Sequence, residues 1–486
     1  MSLTNSAISN FCLKWLIPFL FTFYLISALR VCGQTATSSF SSAYGIGEIN
    51  SGAFSSAVAL GSTGIGSHPV HAINFLNPAS YSSLQMTVFE TGVKSNFRKS
   101  SYSDSSFSTN NSSLQTIAFA FPVTKYWGMS FGLVPFSNSG YKIYSETNHP
   151  DIGKIHYQYE STGGTNQLYL GNGFKFLKNF SVGVNSSLLF GSIEKLSSVE
   201  FSDLSNSFNS RVTTTTSFAN FYPGFGIQFL SNPLKTIPSD TLARTRKTIE
   251  ELKNSISKTD STSSSNIDSL KTELKKLENS LHNIKIKHLA GKWNFGTGLI
   301  FFAPAKINTR ENILAERYRY GNGLLLSEDT TSYSIGNKKI VSLPPRLGIG
   351  FTLSNSVNWL FNLDATYSDW SQFDDGKGNQ RLEPFYQLAL GTEYIPNPMA
   401  VKKYYQKISY RGGIHYAQTF LYINGQASTD YGITFGFGLP IKKARSIVNL
   451  SADIGKRAGG GINEMNYNFV LGFTLTDKWF IRKKFD

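Results

Sequence analysis

Large apolar residues alternate with small or polar ones along several stretches of this chain, and this period of two constrains the fold more than any other feature. In Tyr431–Leu439 the odd-numbered positions carry Tyr, Ile, Phe, Phe and Leu, whereas the even-numbered positions carry only Gly or Thr. Alternate side chains of a β-strand point to opposite faces, so each such segment has one apolar and one small or polar face. The pattern recurs at 293–301, 359–367 and 469–475.

Alternating segments of about ten residues, with aromatic residues opposite glycine, are typical of outer-membrane β-barrels. The composition agrees, since the chain has 38 Phe, 24 Tyr and 42 Gly but only 16% charged residues. After the N-terminal region, no apolar run reaches the roughly 18 residues that a membrane-spanning helix needs. We therefore predict an all-β transmembrane β-barrel of about fourteen antiparallel strands in the outer membrane of a Gram-negative cell.

The alternation places fourteen candidate strands. Their approximate cores are 85–97, 114–123, 127–144, 165–177, 180–198, 211–230, 292–309, 338–354, 358–373, 382–396, 408–423, 428–440, 445–456 and 463–476. Short turns follow the even-numbered strands, and longer polar stretches at 98–113, 145–164, 310–337 and 374–381 follow odd-numbered ones. Because short turns face the periplasm and long loops face outward in such barrels, both termini are expected in the periplasm. The strands fall into two groups, 85–231 for strands 1–6 and 291–486 for strands 7–14.

Residues 1–33 have the features of a secretory signal peptide. Lys14 precedes the apolar run Trp15–Ile26, and small residues at Val31 and Gly33 precede a cut before Gln34. An N-terminal membrane anchor is the first alternative, and a lipoprotein attached at Cys32 is the second. Cys12 and Cys32 are the only cysteines, so cleavage would leave a mature chain without a disulfide.

Residues 34–84 are rich in Ser, Gly and Ala and lack the alternation. A segment of this length preceding a barrel is expected to fold into the lumen as an N-terminal hatch. It ends in Asn77-Pro78-Ala79, shortly before the first strand.

Residues 232–290 interrupt the β pattern with a helical one. Leu242, Ile249, Leu252 and Ile256 follow heptad spacing, and an apolar seam of similar spacing runs from 267 to 284. Two amphipathic helices joined by a polar linker predict an antiparallel, coiled-coil-like helical hairpin. Because it follows the sixth strand, the hairpin is expected in the periplasm. It is either a spacer or, through 239–288, a docking arm for a periplasmic protein partner.

These features together resemble the FadL/TodX family of outer-membrane transporters for hydrophobic compounds. The resemblance rests on the signal peptide, the Ser/Gly/Ala-rich segment, Asn77-Pro78-Ala79, the strand number, and the motifs Leu343–Gly350 and Tyr367–Phe373. It covers the mature chain apart from the helical insertion. It implies a 14-stranded barrel blocked by a hatch, which takes up long-chain fatty acids or aromatic hydrocarbons and releases them through a gap in the barrel wall.

Pro135 lies inside the third candidate strand. Proline cannot donate a hydrogen bond to a β-ladder, so a bulge or kink is expected there. The resemblance implies a lateral opening at a kink in the third strand, which makes Pro135 and Gly140 the candidate kink residues. Alternatively, Pro135 marks the point where the strand leaves the membrane.

No arrangement of residues in the sequence indicates catalysis, and we predict neither an enzyme nor a cofactor. His68 and His71 form an HxxH pair without a nearby third ligand, whereas a metal site usually needs three or four. The net charge of +15 is spread along the chain without a basic block, which does not favour nucleic-acid binding.

Three functions are therefore compared. The first is passive uptake of hydrophobic small molecules by a monomeric barrel in outer-membrane lipid, with a lumenal ligand site whose residues the sequence does not identify. The second is a FadL-like component or shuttle of type IX protein secretion or envelope assembly. The third, a purely structural barrel or an enzyme, has the least support.

Overall fold

The computed structural model describes residues 39–102, 105–201, 207–231, 239–258, 270, 272–274, 276–277, 293–321, 324–355, 358–375, 381–398, 400, 403–441 and 446–477. The predicted signal peptide lies outside these residues, as does most of the predicted second helix of the insertion.

Within the described residues, fourteen antiparallel strands form a closed barrel, which confirms the predicted fold class. In chain order they are β1 (Thr87–Tyr102), β2 (Ser105–Pro122), β3 (Trp127–Asn138 and Tyr141–His149), β4 (Gly153–Lys175), β5 (Phe180–Phe201), β6 (Asn209–Phe221 and Gly224–Leu230), β7 (Asn294–Phe302 and Ala305–Gly321), β8 (Leu324–Leu343 and Arg346–Ser354), β9 (Trp359–Ser368), β10 (Phe385–Tyr394), β11 (Ser409–Ile423), β12 (Gln426–Pro440), β13 (Ile447–Gly459) and β14 (Ile462–Asp477). Consecutive strands are hydrogen-bonded to one another, and pairing of β14 with β1 closes the ring.

The two faces of the strands differ as the alternation predicts. On β12, Ile433 and Phe435 are 56% and 45% exposed, whereas Thr434 between them is 5% exposed. On β14, Leu471 and Phe473 are exposed and Thr474 is buried. The apolar face therefore points away from the barrel axis and forms the lipid-facing surface, and the small and polar face lines the interior.

Proline interrupts three adjacent strands at neighbouring positions, at the same height along the barrel axis. The breaks fall at Pro223 in β6, at Pro304 in β7 and at Pro344–Pro345 in β8. They are neighbours because Phe302 pairs with both Gly224 and Arg346. Proline has no backbone N–H to donate, so each interruption falls where the ladder loses a donor.

Three of the stretches predicted as external loops are instead strands. The described residues of 98–113, 145–164 and 310–337 extend β1–β2, β3–β4 and β7–β8 into long hairpins. The last of these stays paired from Ala305/Leu343 to Gly321/Leu324. Beyond the hydrocarbon an outward side chain need not be apolar, so the alternation fades while the backbone pairing continues.

The described part of the insertion begins with a helix, α2 (Ser239–Lys258), at the barrel end that carries the short turns. Ile249 is buried and Leu252 and Ile256 are half-buried, whereas the polar positions 247, 248 and 250 are exposed. Residues 270, 272–274 and 276–277 are also helical. In the described part of the chain, no helix is both long enough and apolar enough to cross a membrane.

The assignment of faces predicts that two Arg substitutions lower the free energy of unfolding by different amounts. Phe435→Arg places a charge on the lipid-facing surface of β12, which costs about 2–4 kcal/mol near the membrane midplane. Tyr333→Arg changes an exposed residue on the extended part of β8, so we expect less than about 0.5 kcal/mol. Denaturant titration of folding into lipid vesicles measures both. Equal losses of folding stability in the two variants would contradict the assignment of the lipid-facing surface.

Candidate functional site

The barrel interior is occupied by the N-terminal segment, described from Ser39 to Met86. It contains a 3-10 helix (Phe40–Ala43), a two-residue strand (Glu48–Ile49), the short helix α1 (Ser55–Val58) and a second 3-10 helix (Pro78–Ser83). Most of its side chains are buried although it has little regular structure. This is the segment that the sequence predicts as a hatch.

The segment approaches the barrel wall so closely that only glycine fits at several inward-facing positions. A Cβ atom built on Gly226 of β6 would lie 2.0 Å from Asn77 Oδ1, and one on Gly183 of β5 would lie 2.3 Å from the Pro78 carbonyl carbon. These contacts explain why glycine alternates with aromatic residues, because the inward face accommodates backbone and the outward face meets lipid.

Asn77 is fully buried and connects the segment to two strands. Its Nδ2 donates to the carbonyl oxygens of Ile65, Ile227 and Leu299 at 2.9, 3.3 and 3.4 Å. Its Oδ1 accepts a hydrogen bond from the Ala79 N–H at 3.1 Å, which caps the 3-10 helix. The Asn77-Pro78-Ala79 motif thus lies against β5–β7.

Inward polar side chains of the wall bind the backbone of the segment. Asp364 Oδ2 on β9 accepts from Gly64 N and Ile65 N at 2.7 and 2.9 Å. Glu90 Oε1 on β1 accepts from Ile73 N at 2.8 Å. These bonds satisfy backbone groups that have no partner in a helix or strand. Asp364 lies on the polar face of a predicted strand, but the sequence does not reveal which groups it binds.

A cavity of about 300 Å³ lies between the N-terminal segment and the inner face of the barrel wall. Small-molecule sites occupy about 300–1,000 Å³, so this volume is at the lower end of the range. Its lining is divided into an apolar wall and a polar wall.

Aromatic side chains dominate the apolar wall. Tyr222 and Phe302, next to the proline breaks of β6 and β7, are stacked with ring centroids 5.5 Å apart. Phe136 of β3 meets Tyr222 edge-on at 5.5 Å. Trp370 and Phe420 form a second stacked pair, at 4.5 Å.

The polar wall is a connected series of side chains on β1 and β11–β14. Asn96 Nδ2 donates to Asn468 Oδ1, and Asn468 Nδ2 donates to Asp453 Oδ2 at 3.1 Å. His415 lies between Asp453 and Asp430, with N–O distances of 3.9 and 3.6 Å.

Lys94 on β1 also lines the cavity, and its ammonium makes no hydrogen bond or salt bridge with a described residue. Its charge interacts with the nearby carboxylates of Glu48 and Asp453. Sequence reasoning missed it because an inward lysine looks the same in sequence as any lysine of a polar strand face.

The barrel wall has a gap between β2 and β3. These strands pair from Ile117/Leu133 to Pro122/Gly128. Beyond this ladder their described residues form no further pairs with each other; 105–116 pairs with β1, and 134–149 pairs largely with β4. We call the facing edges of 105–116 and 134–149 the wall gap. Residues from both edges line the cavity.

Pro135 and Gly140 both lie on the β3 edge of the wall gap. The β3–β4 register shifts between Pro135 and Ser137, and β3 itself is interrupted at Ser139–Gly140.

The HxxH residues do not form part of a metal cluster. His68 lies against Gly296 of β7, and burial lowers its pKa to about 4, so it is neutral at pH 7. His71 is exposed. Among the described residues, no three His, Cys, Asp or Glu side chains come together in a way that could hold a metal ion.

A closed antiparallel barrel of fourteen strands, lipid-facing outside and filled by an N-terminal segment inside, has the architecture of an outer-membrane β-barrel. The BamG family model matches residues 16–301 and 288–486. The chain therefore belongs to the BamG family. No curated protein sequence matches it.

Solved structures share the fold at low sequence identity. The Pseudomonas putida toluene transporter TodX is 14% identical with a TM-score of 0.53, over 90% of this chain and 99% of TodX. The Ralstonia pickettii toluene transporter TbuX is 11% identical with a TM-score of 0.51, over 87% and 98%. These matches confirm the predicted FadL/TodX-like barrel fold.

The contacts of Asn77 predict that Asn77→Ala loosens the N-terminal segment. The substitution removes three donor contacts and a cap, and we expect a loss of about 1–3 kcal/mol. Amide hydrogen exchange of residues 64–82 should then accelerate by about fivefold to a hundredfold. Asn110→Ala, at an exposed position of β2, is the matched control. Unchanged exchange in Asn77→Ala would refute the anchoring role.

Proposed function

We propose that this protein is a passive channel for hydrophobic small molecules, of the size of long-chain fatty acids or aromatic hydrocarbons. The observation that carries the proposal is the cavity inside the barrel, which has an aromatic wall and reaches a gap between two strands. TodX and TbuX, which share the fold, are named as toluene transporters. The protein is exported through its signal peptide and acts as a monomer in outer-membrane lipid.

The proposed route runs from the cavity to the lipid through the wall gap. Val134, Pro135 and Phe136 form the cavity side of the β3 edge, which gives an apolar ligand a continuous apolar surface. Pro135 and Gly140 are the kink residues that keep β3 away from β2. The N-terminal segment acts as the hatch, with Asn77-Pro78-Ala79 as its fixed base on β5–β7.

The divided lining favours a ligand with one polar end. A hydrocarbon tail against Tyr222 and Phe302 leaves the polar end facing Lys94 and Asn96. An ammonium group binds a carboxylate through a charge-assisted hydrogen bond, which contributes about 1.5–3 kcal/mol. Binding of a fatty acid therefore depends on Lys94, and binding of a pure hydrocarbon does not.

This difference gives a test with two ligands. In Lys94→Met we expect oleate to bind about tenfold to a hundredfold more weakly, whereas toluene binding stays unchanged. Lys99→Met is the matched control, because Lys99 lies on the same strand but is exposed. Isothermal titration of the detergent-purified barrel measures both affinities. If neither ligand binds the unmodified protein, the proposed function is wrong.

A second candidate function is supported by the helical insertion. The insertion leaves the barrel at the end with the short turns, and Ile249, Leu252 and Ile256 of α2 are buried or half-buried. We propose as the alternative a FadL-like component of type IX secretion or envelope assembly, with 239–288 binding a periplasmic protein. As a spacer, the insertion would bind no partner.

Native mass spectrometry distinguishes the two functions when the full chain is compared with a variant lacking 239–288. For a channel we expect a bound fatty acid or hydrocarbon in both proteins. For an assembly component we expect no such ligand, together with a co-purifying protein that disappears in the variant.

A further inference from the structure

Residues 39–50, which we call the closing segment, lie along the β3 edge of the wall gap. Glu48 and Ile49 pair antiparallel with Asn138 and Ser137. Asn50 N donates to Phe136 O at 2.9 Å, and Ser39 N donates to Gly140 O at 3.0 Å. The closing segment therefore takes part of the place that β2 would occupy in an unbroken barrel.

The pairing depends on a glycine at one position. Gly47 has a φ of +95°, and a Cβ atom there would lie 2.5 Å from Asn138 O. Another residue would both strain the backbone and separate the closing segment from β3.

Side-chain hydrogen bonds and ion pairs attach the closing segment to β1, β13 and β14. The Glu48 carboxylate accepts from Arg98 Nη2 at 3.0 Å and from Arg457 Nη2 at 2.9 Å. Arg457 Nη1 also donates to Ser41 Oγ at 2.7 Å, and Ser39 Oγ donates to Glu464 Oε1 at 2.8 Å. Among the described residues, no backbone ladder joins this segment to β1 or β2.

Two of these attachments, those to Arg98 and Arg457, are made by the Glu48 carboxylate. Its burial tends to raise the pKa of its carboxyl group, but the charges of Arg98 and Arg457 outweigh this effect and hold the pKa well below its usual range. The carboxylate is therefore charged at neutral pH and binds β1 and β13 at the same time.

We propose that the closing segment is a displaceable strand that closes the wall gap, and that Glu48 holds it closed. This inference rests on the proposed release of ligand through the wall gap. A ligand moving from the cavity to the lipid passes the closing segment, since Glu48, Ile49 and Asn50 themselves line the cavity. Displacement breaks a short backbone pairing, the Glu48 ion pairs and the side-chain hydrogen bonds of Ser39 and Ser41, and leaves the permanent barrel ladders intact.

A reversible disulfide tests the displacement. Directly opposed residues of an antiparallel pair have Cα atoms about 4.5–5.5 Å apart, within the range that a disulfide spans. Ile49→Cys with Ser137→Cys joins the closing segment to β3, and no native cysteine occurs after Cys32. Leu450→Cys with Leu471→Cys is the control, since these paired residues of β13 and β14 face lipid.

Uptake of oleate into proteoliposomes is compared for each pair before and after reduction. We expect oxidised Ile49→Cys/Ser137→Cys to transport at least tenfold more slowly than its reduced form, and the control pair to be insensitive to reduction. Equal uptake by the oxidised and reduced forms of the first pair would overturn the proposal and leave the channel function standing.

Hydrogen exchange tests the closing segment without any ligand. In Glu48→Gln we expect the amides of residues 48–50 to exchange at least tenfold faster, whereas Glu160→Gln, at a salt bridge on β4, has no effect there. Unchanged exchange in Glu48→Gln would show that Glu48 does not hold the segment. Because this result does not depend on transport, it decides the role of Glu48 even if oleate is not a substrate.

Discussion

Backbone hydrogen bonding is the constraint on which the rest of this structure depends. Hydrocarbon offers no partner for an N–H or C=O group, so each strand in the membrane must pair on both sides. Apart from the wall gap, the fourteen strands meet this requirement through neighbouring ladders and through the pairing of β14 with β1. The lipid-facing side chains are then free to be apolar, and they give the sequence its period of two.

The same constraint applies inside the barrel, where a mostly irregular segment is buried. Its backbone groups cannot all pair with one another, so the wall supplies partners such as Asp364 and Glu90. Glycines on β5 and β6 allow the two backbones to approach. One pattern of aromatic residue and glycine therefore serves two purposes, contact with lipid outside and contact with the segment inside.

The sequence predicts what depends on local patterns and not what depends on register. The alternation was sufficient for the fold class, the strand number and the lipid-facing residues. It was not sufficient for the long hairpins, because β-pairing beyond the membrane does not require alternation. The contact of Glu48 with Arg98 and Arg457 joins residues up to 409 positions apart, and no local pattern predicts it. Pro135 was noticeable because proline is exceptional in any strand, whereas Lys94 and Asp364 resemble other polar residues.

Neighbouring strands β2 and β3 separate at the wall gap, and its two edges differ. On β2, residues 106–113 are Ser, Thr and Asn apart from Phe107, and such side chains suit an aqueous or headgroup environment, where water satisfies the free backbone groups. On β3 the corresponding edge begins with Val134, Pro135 and Phe136, and water is a poor neighbour for these residues.

The closing segment pairs with the β3 edge from Phe136 to Gly140, next to its apolar beginning, and leaves the polar β2 edge open. This choice follows from the backbone constraint, because a free edge is most costly where the surroundings are apolar. It also keeps the attachment to β1 and β13 dependent on side chains, which can be released without unpairing any barrel strand. The barrel can therefore remain stable although β2 and β3 separate at the wall gap.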